Sequence, residues 1–227
     1  MKIQFSLFLM LLVFSVRSYA AIPEVNLSFV FAVPPNIIEE NQYRQIAQRE
    51  TQILNQYFIT QDRQPIFKFK LKNYIGHTQF NKMNCKLSQR LIARLPISGD
   101  DAKKEFKQCF KHANSVYVFV YDAYNAEIGF KDGTSWGFNN NNQPFILLDW
   151  ERLNYRNQAA LPHEMGHVFG LRHICIPKAK RRDSTNLMAS AGNCDGSGGK
   201  RDIGFNDDQL KIINSKFNQW QQAIKQS

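Results

Sequence analysis

Three histidines and a glutamate fall at a spacing that can build a metal site beside a proton acceptor. His163 and His167 are four residues apart, so in a helix both imidazoles lie on one face, about one turn from each other. Gly170 allows the chain to leave that helix abruptly, because glycine takes a positive φ without steric cost. The turn returns His173 towards the same point as a third ligand. Three neutral nitrogens suit zinc and leave a fourth position for water, as in catalytic sites.

Glu164 directly follows the first histidine, where its carboxylate can accept a proton from an activated water. The pattern from His163 to His173 is HExxHxxGxxH without a mismatch. HExxH alone is a weak signal, because a short pattern with few fixed positions recurs by chance, but the added glycine and histidine make coincidence improbable. The pattern predicts one catalytic zinc ion. A helix that carries three structural histidines is the alternative.

A second signature is the short apolar turn NLMAS at 186–190, with Met188 fifteen residues beyond His173 (188 − 173 = 15). Together with the helix motif, it makes the chain resemble the metzincin clan of zinc endopeptidases, which these two features define. The resemblance implies that the three histidines bind zinc and that Glu164 is the general base. It also implies that Met188 forms an apolar floor beneath the metal.

Within the clan the chain is loosely similar to the matrixin-like group, and the similarity spans residues 157–190. Ile174 follows the third histidine, where better-known families have Asp, Glu, Ser or Pro. Ser190 stands two positions after Met188, where astacins and serralysins have a tyrosine that assists the metal. The subfamily is therefore left open.

The resemblance also implies an α+β zincin fold with an α/β upper half. In such a fold, one edge strand of a twisted mixed sheet lies over the cleft. The chain after the glycine of the metal helix forms the lower half of the domain. A Met-turn and a C-terminal helix complete it. Hydrophobic patterning predicts a compatible order of elements. The predicted strands are 25–33, 66–71, 116–121, 133–138 and 145–148, and the predicted helices are 36–57, 98–112, the metal helix and a last helix from 206.

Capping residues mark the start of three of these helices. Asn36 with Glu39 forms a pattern typical of a capping pair, and Asn206 with Gln209 forms another. Ser98 is a residue typical of a single N-cap.

Two local features each allow two interpretations. Pro162 precedes His163 and must either start the metal helix or kink it. The segment 133–138 is either the edge strand to which an extended peptide pairs or a surface hairpin with a packed Trp136.

Residues 1–20 predict a secretory signal peptide. Lys2 supplies the positive charge, 5–16 an apolar core, and Ser18-Tyr19-Ala20 a small-x-small cleavage site. Arg17 ends the apolar run before the roughly 20 residues that a membrane anchor needs, and no other segment is long enough to span a bilayer. Cleavage after Ala20 leaves 207 residues (227 − 20 = 207), which fits one catalytic domain over 21–227. We expect a secreted or periplasmic protein.

The four cysteines of an exported chain predict two disulfides. Of the three possible pairings we favour Cys85–Cys109 and Cys175–Cys194, because the second closes the loop that contains the Met-turn. Such a loop is worth roughly 3 kcal/mol in the chain-entropy account. A structural zinc site made of all four cysteines is disfavoured, since no CxxC pair is present.

The formal net charge of +10 favours acidic partners. Removing the signal peptide with its two cations leaves +8 (27 − 19 = 8). The densest basic run, 178–182, is either a solvated loop or a positive rim of the cleft that prefers acidic substrate side chains. Nucleic-acid binding is not expected, because no aromatic residues are interleaved with these charges.

These patterns together predict an exported, monomeric zinc endopeptidase that acts on protein or peptide, with acidic substrates favoured. Two alternatives remain open. One is a proteolytically inactive zinc-containing binding protein or effector, although such a protein has no need of Glu164. The other is a zinc amidase that acts on cell-wall peptide.

Overall fold

The computed structural model of the protein describes residues 21–110, 114–125, 130–131, 135–190 and 194–226. The predicted signal peptide lies outside these ranges. The strands are β1 (Glu24–Phe31), β2 (Lys68–Ile75), β3 (Val116–Tyr121), β4 (Tyr124–Asn125), β5 (Phe130–Lys131), β6 (Trp136–Phe138), β7 (Phe145–Asp149), β8 (Ile174–Cys175) and β9 (Ala189–Ser190). The helices are α1 (Tyr43–Tyr57), α2 (His77–Lys82), α3 (Lys86–Ile92), α4 (Gly99–Cys109), α5 (Arg156–Val168) and α6 (Asp207–Gln226).

A mixed five-stranded sheet in the order β2-β1-β3-β7-β6 forms the centre of the fold. Its first four strands are parallel, and β6 pairs antiparallel with β7, with Gly137 opposite Ile146. The inner strands β1, β3 and β7 are almost wholly buried, as expected for parallel strands covered on both faces. The short strand β6 therefore lies at the sheet edge, which agrees with one of the two interpretations that the sequence left open for 133–138. Residues 133–134 of that prediction lie outside the described ranges.

Helices cover the two faces of the sheet unequally. On one face, α1, α5 and α6 pack over the larger apolar cluster, which includes Phe29, Met165 and Trp220. On the other face, α2, α3 and α4 enclose a smaller cluster around Phe106 and Phe119. Helix α5, which carries two histidines of the motif, packs against β6, β7 and α1, and these contacts fix its orientation. None of the helices in the described ranges is both long and apolar enough to cross a bilayer.

The start of α1 differs from the prediction. Asn36 lies in a turn where the N–H of Ile37 donates to the Pro34 carbonyl at 2.9 Å. A separate 3-10 turn follows after Glu39, whose side chain makes no capping hydrogen bond, and α1 begins only after that turn. The prediction that Asn36 and Glu39 cap this helix is wrong, because the turn that begins at Pro34 provides a different local hydrogen bond.

The other two capping predictions are confirmed. Ser98 Oγ accepts from the backbone N–H of Asp101 at 3.1 Å at the start of α4. At the start of α6, Asn206 Oδ1 accepts from the Gln209 N–H at 2.9 Å, while Gln209 Oε1 accepts from the Asn206 N–H at 3.1 Å.

Pro162 lies inside α5, six residues after its first residue. Gln158 and Ala159 have left-handed φ values of 69° and 57°, so the turn before the proline is irregular. The missing N–H of Pro162 is therefore accommodated by a distorted first turn, and the regular part of the helix carries the histidines.

Disulfides join Cys85 to Cys109, with Cα atoms 5.8 Å apart, and Cys175 to Cys194, with Cα atoms 5.4 Å apart. These are the two pairings that the sequence favoured. The first ties the start of α3 to the end of α4, and the second closes the loop that follows β8.

Candidate metal centre

The three histidines of the motif converge at one point. The Nε2 atom of His173 lies 3.0 Å from Nε2 of His163 and 3.0 Å from Nε2 of His167. One ring nitrogen from each lies within 4.8 Å of the others. Gly170 has a φ of 83°, a conformation that favours glycine, and its N–H donates to the His167 carbonyl at 2.9 Å. The helix therefore ends just before this glycine, and the chain turns back to bring in the third histidine.

Backbone carbonyls fix the orientation of two of the imidazoles. Nδ1 of His163 lies 2.6 Å from the Leu187 carbonyl oxygen, and Nδ1 of His167 lies 2.8 Å from the Leu171 carbonyl oxygen. A carbonyl only accepts, so each Nδ1 must carry the proton. The Nε2 lone pairs are then left facing His173, an arrangement typical of metal-ligating histidines held by an outer partner.

Desolvation favours the neutral forms of these imidazoles. Desolvation lowers the pKa of His163 well below its usual value, and the positive charge of Arg201 acts in the same direction. Desolvation also lowers the pKa values of His167 and His173. Neutral imidazoles whose lone pairs face one another at hydrogen-bond distance repel unless a proton or a cation lies between them. The donor set therefore fits a metal ion, and three imidazole nitrogens are a zinc-type set.

Glu164 is a buried carboxyl group on the same helix, with 4% of its surface exposed. Burial raises its pKa to about 8, while Arg152, Arg201 and a hydrogen bond from the Gly137 backbone pull the pKa down. A divalent cation held by the neighbouring histidines would lower it further, because an opposite charge favours the carboxylate. Such a group is poised to exchange a proton near neutral pH.

The edge strand β6 lies directly against the metal helix at Gly137. A Cβ atom added there would lie 1.9 Å from the carbonyl oxygen of Glu164 and 3.0 Å from Cβ of His167. Only a residue without a side chain allows this contact. The sequence interpretation did not single out Gly137, although a glycine between Trp136 and Phe138 is a signal of close backbone approach.

Met188 lies beneath the helix and is fully buried. Its Sδ would be 2.3 Å from a Cβ added at Gly166, within the motif, so the thioether packs against the helix backbone. Asn186 Oδ1 accepts the Met188 N–H at 2.9 Å, and the Met188 carbonyl accepts the Ile174 N–H at 2.9 Å. Both sides of the turn are thus held in place next to His173.

Met188 is expected to contribute packing and not ligation. Met188→Leu roughly conserves volume, so it should cost less than about 1.5 kcal/mol and leave zinc binding intact. Met188→Glu should lower the melting temperature clearly, because an unpaired charge is forced into an apolar site. Thermal melting and zinc content of both variants check this. A glutamate variant that melts like the parent would mean that Met188 is not buried in solution.

Arg201 is the second residue of the site that sequence reasoning missed. Its guanidinium is buried, with 7% of the residue exposed, and its positive charge acts on Glu164 and on all three histidines. The residue type of Arg201 does not reveal its burial, since the neighbouring Lys200 has the same charge and is exposed.

No protein-family model matches the chain, and no curated protein matches it. Solved structures with partial similarity include a chaperone–substrate complex (14% identity, TM-score 0.45, 88% of this chain and 34% of that chain). Another is archaemetzincin from Methanopyrus kandleri (12% identity, TM-score 0.45, 86% of this chain and 96% of that chain). A third is metalloproteinase-II from Bacteroides fragilis (10% identity, TM-score 0.44, 88% of this chain and 55% of that chain). The chain spans about a third of the first of these proteins and about half of the last. Similarity at this level transfers no function, so function is inferred from this chain's own residues.

Proposed function

We propose that the chain is an exported, metzincin-like zinc endopeptidase that hydrolyses peptide bonds. The observation that carries the proposal is the convergence of His163, His167 and His173 beside the buried carboxyl group of Glu164. These three histidines would hold a single zinc ion. A bound zinc ion supplies Lewis-acid polarisation of the substrate carbonyl and lowers the pKa of a coordinated water.

Glu164 is the proton carrier in this proposal. Its carboxylate takes a proton from the attacking water as the new C–O bond forms, and it delivers that proton to the amide nitrogen as the C–N bond breaks. Water is consumed, and a carboxylate and an amine are produced. The Gly137 backbone N–H lowers the pKa of this carboxyl group and so favours its ionised form.

The edge strand β6 supports a peptide as the substrate. Among the residues that the structure describes, it pairs only with β7, so its outer edge would offer backbone groups to an extended chain by β-addition. Because β6 touches α5 at Glu164 and His167, a strand added there runs past the metal ligands. A scissile carbonyl is thereby brought next to the general base.

Export and an acidic substrate are parts of the same proposal. The two disulfides suit an oxidising compartment outside the cytosol. Lys178, Lys180, Arg181 and Arg182 are all exposed on the loop that leads to the Met-turn. They would attract acidic side chains of a substrate by long-range electrostatics.

Metal removal tests the proposed function. The purified mature chain should contain one zinc per molecule and hydrolyse a casein-like unstructured protein. A chelator should abolish hydrolysis, and added zinc should restore it. His167→Ala should contain little zinc and show no hydrolysis, because two imidazoles alone leave the site open. The control is His77→Ala, which changes a histidine that lies apart from the triad at the start of α2.

Each failure has a distinct meaning. Equal zinc in His167→Ala and the parent would exclude the assigned ligands. Zinc without hydrolysis of any polymer would indicate a binding protein. Zinc-dependent cleavage of purified peptidoglycan but not of casein would indicate a cell-wall amidase.

A further inference from the structure

Arg201 is a buried charge that the proposed reaction does not use. Its Nε donates to the carbonyl oxygen of Ala189 at 2.5 Å, and its Nη1 donates to the carbonyl oxygen of Gln158 at 3.3 Å. Desolvating a guanidinium is costly unless directed hydrogen bonds offset the cost. The two carbonyls that receive these bonds therefore indicate what the side chain does.

The two carbonyls belong to the two units that carry the histidines. Gln158 lies in α5, five residues before His163 (163 − 158 = 5). Ala189 pairs with Ile174 in the two-stranded β8–β9 ladder, and Ile174 directly follows His173. One guanidinium therefore connects the helix that carries two ligands to the strand pair that carries the third.

The carbonyl of Gln158 has lost its regular helical donor. In a helix it would accept from the N–H four residues later, but that residue is Pro162, which has no N–H. Arg201 Nη1 donates to this partly buried carbonyl from a different part of the chain.

The backbone of Arg201 is itself held on both sides. Its N–H donates to Thr185 Oγ1 at 3.0 Å, and its carbonyl accepts from the Tyr155 hydroxyl at 3.0 Å. Thr185 Oγ1 donates in turn to the Gly198 carbonyl at 2.7 Å. The guanidinium thus projects from a fixed point, which allows it to set a distance between the two units it bonds.

We propose that Arg201 is a positioning residue that sets the separation of α5 from the β8–β9 pair, and through it the affinity of the three histidines for zinc. The inference rests on the proposed zinc site. The inference predicts that the two N–H donors of the guanidinium matter more than its positive charge, since a single ammonium group cannot reproduce their planar arrangement.

An electrostatic role and a positioning role of Arg201 predict opposite changes in zinc affinity, so variants distinguish the two roles. Removing a nearby positive charge favours binding of a divalent cation, so a purely electrostatic Arg201 would give higher zinc affinity in Arg201→Gln and parental affinity in Arg201→Lys. A positioning role gives lower affinity in both variants. Loss of an outer partner of a metal ligand typically costs about 10–100-fold in affinity.

The test measures zinc dissociation constants by competition with a chromogenic chelator, at a temperature where each zinc-free variant is folded. Arg201→Lys and Arg201→Gln are expected to bind zinc about 10–100-fold more weakly than the parent. Lys200→Gln is the matched control, because it removes one exposed positive charge at the next position, and it should bind like the parent. The absorption spectrum of the cobalt-loaded proteins gives a second readout, in which a changed ligand geometry shifts the visible bands.

Parental affinity and an unchanged cobalt spectrum in both arginine variants would overturn the inference, even if their melting temperatures fall. Tighter binding by Arg201→Gln would overturn it in favour of a purely electrostatic role. Should neither variant fold, Thr185→Val loosens the backbone of Arg201 and keeps its guanidinium. A smaller loss of affinity is then expected, and parental affinity would contradict the inference. A parent that does not bind zinc would reject the proposed function as well, whereas a parent that binds zinc without hydrolysing peptides would reject only the proposed function.

Discussion

Glu164→Gln is expected to retain zinc and to lose hydrolysis by about 10²–10⁴-fold, the usual contribution of a positioned general base. The amide has nearly the same shape as the carboxyl group and can keep the hydrogen bond from the Gly137 N–H, so folding and the histidine ligands should be preserved. It cannot accept the proton of the attacking water. Steady-state kinetics on a fluorogenic peptide, together with zinc content, measure the two functions separately.

The pH profile supplies the control. The base must be ionised, so activity should rise with pH as Glu164 loses its proton. Burial raises the pKa of Glu164 to about 8 in the protein without metal, and a bound cation lowers the pKa, so the half-maximal point should lie below that value. The residual rate of Glu164→Gln should lack this ascending limb. A glutamine variant with parental kcat/KM would mean that Glu164 is not the base.

The convergence of the three histidines could be predicted from sequence because its geometry is local. An i,i+4 pair on a helix and a glycine turn place three imidazoles within eleven residues (173 − 163 + 1 = 11), and little of the remaining fold is needed to bring them together. The same holds for the caps of α4 and α6, where the partners are three residues apart. Hydrogen bonds between residues close in sequence can be predicted, because they require particular residue types at fixed offsets.

The supporting contacts could not be predicted, because their partners are distant in sequence. Arg201 bonds Gln158 across 43 positions, and the type and neighbours of an arginine do not say whether it is buried. Likewise the predicted cap at Asn36 followed a valid local pattern, but the turn that begins at Pro34 shifted the start of α1. The burial of Arg201 depends on the packing of distant segments, whereas the start of α1 depends on competition between two local turns, and a single residue pattern decides neither.

Gly137→Ala is expected to have the second large effect, since the new methyl group meets backbone and not a flexible side chain. Its Cβ would lie 1.9 Å from the carbonyl oxygen and 2.8 Å from the carbonyl carbon of Glu164, so β6 and α5 must move apart. Overpacking of this kind costs about 1–3 kcal/mol or more in stability.

The separation of β6 from α5 also acts on the reaction. It weakens the hydrogen bond from the Gly137 N–H to the Glu164 carboxyl group and displaces the edge on which a peptide would align. A shift of about 1 Å in such an arrangement can cost about 10²-fold in rate, so kcat/KM should fall by at least that factor at a temperature where the variant is still folded. Gly99→Ala is the matched control, because its Cβ would lie 3.5 Å from the Phe138 ring, an ordinary contact. It should keep parental stability and kcat/KM. If Gly137→Ala behaved like Gly99→Ala, β6 would not lie against the metal helix in solution, and the peptide-binding edge would have to be sought elsewhere.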